Sequence, residues 1–197
     1  PRPARNPELE VVVMKPGSLP EIARAMVADH KGLLAMDESN GTCNKRFAQA
    51  GIPQDVESRR AYRELILTTP GLRDFINGVI LYDETIRQHT ADGTPFVQLI
   101  ADAGMLIGIK VDTGAKALAA FPGETVTEGL DGLRERLKEY VGMGASFAKW
   151  RGVIALGTAG SEMPSRGAIE VNAHALARYA ALCQEAGLVP VIEPEVL

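Results

Sequence analysis

The stretch Leu106-Ile107-Gly108-Ile109-Lys110-Val111-Asp112 decides the fold. Its apolar opening, LIGI, does not alternate with polar residues, the mark of a strand buried on both faces, as in parallel sheets covered by helices. Its end places Lys110 and Asp112 two residues apart, and therefore on the same face of an extended chain. A buried strand that ends in two charges asks for a wet cavity at one end of the sheet.

The same pattern recurs on either side. LLAM (33–36) runs into Asp37 and Glu38, and GVILYD (78–83) ends in Tyr82, Asp83 and Glu84. SFAKWR (146–151) carries Lys149 and Arg151 on one face, and LVPVIEPE (188–195) carries Glu193 and Glu195. Helical patterns lie between. Over 167–186 the residues Ile169, Ala173, Leu176, Ala180 and Cys183 repeat at spacings of four and three, with Gly187 as the stop. Over about 128–141 the stripe is Leu130, Leu133, Leu137 and Tyr140, followed by Gly142.

Strands alternating with helices predict an α/β fold with a parallel sheet, either doubly wound or closed. No GxGxxG turn follows the first strand, which removes the usual dinucleotide signature. Charges gather at the C-terminal ends of the strands, where a (β/α)8 TIM barrel builds its active site. The expectation is a single domain over 1–197 supplying about the first five βα units of such a barrel. Eight units take roughly 250 residues, so the remaining strands are expected beyond Leu197, with the fifth strand presenting an unpaired edge.

Composition narrows the function. With 46% hydrophobic and 23% charged residues, the chain can bury a sizeable core. A net charge of −4 without a basic stripe argues against nucleic acid. No apolar run is long enough to cross a bilayer, and PRPARNPELE at the start lacks the apolar centre of a secretory signal. Cys43 and Cys183 show no metal-ligand spacing. His30, His89 and His174 stand in unrelated contexts and are read as surface or helix-end residues, leaving no material for a zinc centre or a Ser/His/Asp relay.

Ionisable groups at buried strand ends cost several kcal/mol each, as an order of magnitude, unless they pair or face water. One explanation is a rim closed by ion pairs; the other is a polar mouth suited to an anionic substrate and to proton transfer. SNGT (39–42) opens a helix with Ser39 or Thr42 as N-cap and Gly51 past its end. Its free amides, with Lys45 and Arg46, form a candidate phosphate cradle. Tyr82, Asp83 and Glu84 are read as rim packing and pairing, and Trp150 as pointing outward into the helix layer.

Taken together, LLAMDESNGTCNKRF, NGVILYDET, GIKVDTG, TEGLDGLRER, FAKWR and NAHALARYAALCQEAGLVPVIEPEVL resemble class I fructose-bisphosphate aldolase, in order and from about residue 18 onward. AMDESN looks closer to the plastid and cyanobacterial enzymes. The resemblance implies reversible cleavage of fructose 1,6-bisphosphate to dihydroxyacetone phosphate and glyceraldehyde 3-phosphate through a lysine Schiff base, with no cofactor and no metal. It places the activity in glycolysis, gluconeogenesis or the Calvin cycle. It implies that Asp37 handles the proton of the C4 hydroxyl, and that Ser39, Thr42, Lys45, Arg46 and Lys110 hold a phosphate. Asp112 would position the lysines, Lys149 and Arg151 would stabilise intermediates, and Glu193 would be the acid and base of carbinolamine chemistry, with Glu195 supporting the lysines.

The nucleophilic lysine would belong to the next strand, absent from this segment. The resemblance further implies a phosphorylated-sugar substrate, a homotetramer, and a cytoplasmic location or, in a photosynthetic eukaryote, the plastid stroma. Two other readings are a transaldolase-type barrel with Lys149 as nucleophile, and a non-catalytic aldolase-like scaffold.

Overall fold

The computed structural model describes residues 17–158 and 160–197. The PRPARNPELE stretch and Ala159 lie outside the described residues. In chain order come α1 (Leu19–Met26), β1 (Gly32–Ala35), α2 (Asn40–Gln49), α3 (Val56–Leu67), α4 (Leu72–Phe75) and β2 (Ile76–Leu81). Next are α5 (Asp83–Ile86), α6 (Phe96–Asp102), β3 (Leu106–Lys110), β4 (Gly114–Ala117) and β5 (Thr125–Glu128). The last are α7 (Leu133–Gly142), β6 (Phe147–Ile154), α8 (Arg166–Glu185) and β7 (Val189–Val196).

β1, β2, β3, β6 and β7 form one sheet in that order, and all its pairings are parallel. Each strand lies beside the previous one in sequence, with no reversal of direction across the sheet. A doubly wound sheet reverses at its switch point; this one is an arc of a barrel. Register aligns the charged ends, pairing Lys110 with Lys149 and Arg151 with Glu193 across neighbouring strands.

The two faces of the sheet hold two cores. On one face Ile80 and Phe147 pack with Ile22 and Met26 of α1, joined by Leu33, Leu106, Val189 and Val191. These alternate strand positions form the barrel floor, with α1 against it. A Cβ at Gly108 would come within 2.2 Å of the Phe147 ring, and one at Gly78 within 3.1 Å. The glycines thus leave the room that the phenyl ring fills. On the other face Val79, Leu81, Ile107, Ile109, Ala148 and Trp150 pack against the helices. Trp150 is fully buried, its ring centroid 5.4 Å from that of Tyr179 on α8, as the outward reading expected.

Three expectations need correction. The α8 stripe is displaced: Ile169 and Ala173 are exposed, and the buried face is Ala168, Asn172, Ala175, Leu176, Tyr179 and Cys183. Asn172 takes a core position because its amide bonds the backbone of Thr125 and Thr127, a long-range partner that periodicity cannot show. The helix expected from about 128 begins at Leu133, because residues 125–128 are the second strand of an antiparallel hairpin with β4. Gly129 and Gly132, at φ 130° and 64°, separate that strand from α7. Tyr82 and Asp83 do not extend β2: Tyr82 precedes a short helix, α5, that begins at Asp83.

The three histidines are exposed, and both cysteines are buried with free thiols. No helix among the described residues is long and apolar enough to cross a membrane.

Candidate active site

At the C-terminal ends of the strands a cavity of about 840 Å³ opens above the apolar floor. Alternation along each strand builds it. Phe147 lies in the floor, and two and four residues later Lys149 and Arg151 rise on the same face into the cavity. Lys110 and Asp112 stand likewise above Gly108, and Glu193 and Glu195 above Val191. Asp37 enters just past β1, and Ser39 and Thr42 enter from the start of α2.

Lys149 is the centre. Its Nζ lies 3.2 Å from Asp37 Oδ2 and 3.1 Å from Glu193 Oε2, bringing together strands from opposite sides of the arc. Burial alone would lower the ammonium pKa, but Asp37 and Glu193 outweigh it and hold Lys149 above the usual lysine range. The side chain is therefore a fixed cation at neutral pH. Asp112, almost fully buried, is a second hub. Its carboxylate pairs with Lys110, accepts the Gly114 amide at 3.0 Å and accepts the Arg151 amide at 3.3 Å. Arg151 in turn pairs with Glu195.

At the mouth, Ser39 is the N-cap of α2: its Oγ accepts the Thr42 amide at 3.3 Å and lies 3.1 Å from the Thr42 hydroxyl. Arg46 lines the cavity and pairs with Glu38 at 2.5 Å, while Lys45 is exposed on α2 and does not line it. Helical geometry separates these neighbours, since successive residues point about 100° apart. Every other candidate site residue borders the one cavity.

The sequence reading left some lining residues without a role. Arg87, Arg136, Glu139 and Tyr140 extend the cavity between α5 and α7. Arg87 pairs with Asp83 and Glu139, and the Tyr140 hydroxyl donates to Asp83 at 2.9 Å. Burial and the Asp83 carboxylate push the Tyr140 phenol up to about 12. Asp83 and Glu84 do pair with bases, Glu84 with Arg59 at 2.7 Å, as the rim reading expected. The only signal for the Tyr140 contact was the stripe that placed its body in the core; its partner is 57 residues away.

Among the described residues, no three His, Cys, Asp or Glu side chains converge as metal ligands. The arrangement instead offers buried cations beside carboxylates, able to hold an anion and to pass protons at neighbouring oxygens or carbons.

A lysine–carboxylate mouth at the C-terminal ends of a parallel barrel arc places the chain among the TIM-barrel proteins. The family profile described as fructose-bisphosphate aldolase class-I matches residues 18–197. The chain belongs to that family. It is 63% identical over 179 residues to a probable fructose-bisphosphate aldolase class 1 of Xanthomonas campestris, covering 91% of this chain and 53% of that protein. It is 53% identical over 167 residues to the cytosolic fructose-bisphosphate aldolase 6 of Arabidopsis thaliana, covering 85% and 46%. A crystal structure of Plasmodium falciparum fructose-bisphosphate aldolase, in complex with TRAP and a small-molecule inhibitor, superposes with a TM-score of 0.88 at 44% identity, covering 91% and 51%. The chain spans about half the length of the curated relatives it matches.

Proposed function

We propose that the protein is a class I aldolase that reversibly cleaves fructose 1,6-bisphosphate to dihydroxyacetone phosphate and glyceraldehyde 3-phosphate, the amine nucleophile coming from a barrel strand after Leu197. The observation that carries this reading is the Asp37–Lys149–Glu193 cluster at one mouth. A neighbouring amine attacks a carbonyl only when neutral, and a fixed ammonium beside it lowers its pKa from about 10.4. Lys149 has the surroundings of that helper, because two carboxylates keep it charged. The same surroundings make it a poor nucleophile, against the transaldolase-type reading.

In this scheme Asp37 takes the C4 hydroxyl proton as the C3–C4 bond breaks, and the electron pair flows to the iminium. Glu193 moves protons as the carbinolamine forms and loses water. Ser39, Thr42 and Arg46, with Lys110, hold one phosphate at the start of α2. Lys45 can reach that phosphate only from the exposed side of α2.

Homotetramer formation, cytoplasmic or plastid placement, and the likeness of AMDESN to plastid and cyanobacterial enzymes belong to the same proposal; sedimentation of the full-length gene product tests the first. For the chemistry, borohydride trapping with dihydroxyacetone phosphate on that product, followed by peptide mass mapping, should place the adduct after Leu197. An adduct on Lys149 would favour the transaldolase type. A folded protein with neither adduct nor turnover would favour a scaffold.

A further inference from the structure

TEGLDGLRER (127–136) carries the family likeness but supplies none of the groups assigned above. Apart from Arg136, which lines the cavity, its residues lie behind the charged strand ends. The Thr127 hydroxyl donates to the Arg151 carbonyl at 2.8 Å, and the Glu128 carbonyl accepts the Thr113 amide at 2.9 Å. Gly129 holds φ 130°, and a Cβ there would meet Thr113 N at 3.0 Å and Asp112 Cα at 3.1 Å, so the backbone packs directly on the turn after β3. Arg136 closes the arrangement, donating to the Val111 carbonyl at 2.9 Å and the Gly129 carbonyl at 2.5 Å. Val111 lies between Lys110 and Asp112. Every other cation lining the cavity has a carboxylate partner, whereas Arg136 has none among the described residues. Its guanidinium donates to these two backbone carbonyls, with the Tyr140 hydroxyl and the Asp83 charge close by.

We propose that Arg136 is a positioning residue: its planar fork ties the turn after β3 to the end of β5, and so fixes Asp112 where it can hold the Lys110 ammonium and the Arg151 amide. Arg136 acts through these groups. A lysine offers charge without the paired in-plane donors that reach two carbonyls at once. Asp112 is the shared element, since its two oxygens serve Lys110, Gly114 and Arg151 together. A turn that shifts by about 1 Å would misplace the Lys110 ammonium at the phosphate end and the intermediate-stabilising Arg151, a displacement that can cost on the order of 10²-fold in rate.

The inference rests on the proposed aldolase activity for its kinetic readout, so the test has a second readout independent of turnover. In the full-length gene product, Arg136→Ala and Arg136→Lys should each lower kcat/KM for fructose 1,6-bisphosphate by ~10- to 100-fold, with kcat falling. Added guanidinium at constant ionic strength should restore part of the loss in Arg136→Ala. Amide hydrogen exchange should quicken at Thr113, Gly114 and Arg151, with β2 and α8 unchanged. Thr127→Val, which removes the bond to the Arg151 carbonyl and leaves the Arg136 fork in place, should leave exchange at Thr113 and Gly114 unchanged.

A wild type without turnover would sink the activity and leave the exchange data to judge the brace. Unchanged exchange at those three amides, or loss of protection throughout the molecule, would overturn the brace. So would a rise in KM alone that guanidinium does not repair, since Arg136 would then be a direct anion contact.

Discussion

Glu38 sits between two arginines of very different exposure: the Arg63 side chain is 2% exposed and that of Arg46 is 60%. Burial pushes the Glu38 carboxyl upward, but the Arg63 hydrogen bond and both guanidinium charges outweigh it and hold the pKa below the ordinary value. Glu38→Gln would leave Arg63 buried without a counter-charge, which costs about 3–5 kcal/mol; denaturant melts of the full-length gene product should show it. A depressed carboxylate contributes stability above its ordinary 4.5 and loses it as pH falls through the folded value. The gap between wild type and Glu38→Gln should therefore close in acid. The sequence placed Glu38 correctly beside the mouth, because it follows β1 directly. It could not reveal Arg63, because α3 meets that strand end 25 residues later and helix periodicity says nothing of the partner.

At the scale of elements, the parallel strands were legible because each is a short apolar run with a charged tip, and the two-residue period sorts floor from mouth. Gly108 shows how closely that sorting is packed. Gly108→Ala would drive a methyl into the Phe147 ring and should cost about 1–3 kcal/mol through overpacking, read as a lower melting temperature. The hairpin of β4 and β5 was not legible: its strands are four residues each, carry few large apolar side chains, and are fixed by polar contacts from afar. Asn172 makes two of those contacts, donating to Thr125 O at 2.8 Å and accepting the Thr127 amide at 3.3 Å, and also donates to Ala168 O within α8 at 2.9 Å. Asn172→Ala should cost about 1–3 kcal/mol, because it leaves buried backbone groups unpaired. Amide exchange should show that loss at Thr127, while β1 and β2 keep their protection.

Across the whole molecule the barrel divides its work between an apolar floor and a charged mouth, and Lys149 belongs to both. It stands one alternation above Phe147, mostly buried, and its ammonium pairs with both Asp37 and Glu193. Lys149→Met fills a similar volume but leaves two carboxylates facing one another without a cation. By the proposed mechanism turnover should fall at least ~10³-fold, the nucleophile losing its neighbouring charge and the intermediates their stabiliser. Stability should fall too, by about 3 kcal/mol, as when one partner of a buried pair is removed. The pH dependence separates this from simple mispacking. A lysine whose folded pKa is raised contributes stability that is full below its ordinary 10.5 and is lost as pH climbs through the folded value. The stability gap between wild type and Lys149→Met should be widest near neutrality and narrow above pH 10.5. A gap that stays constant through that alkaline range would mean that the ammonium does not hold the strand ends together.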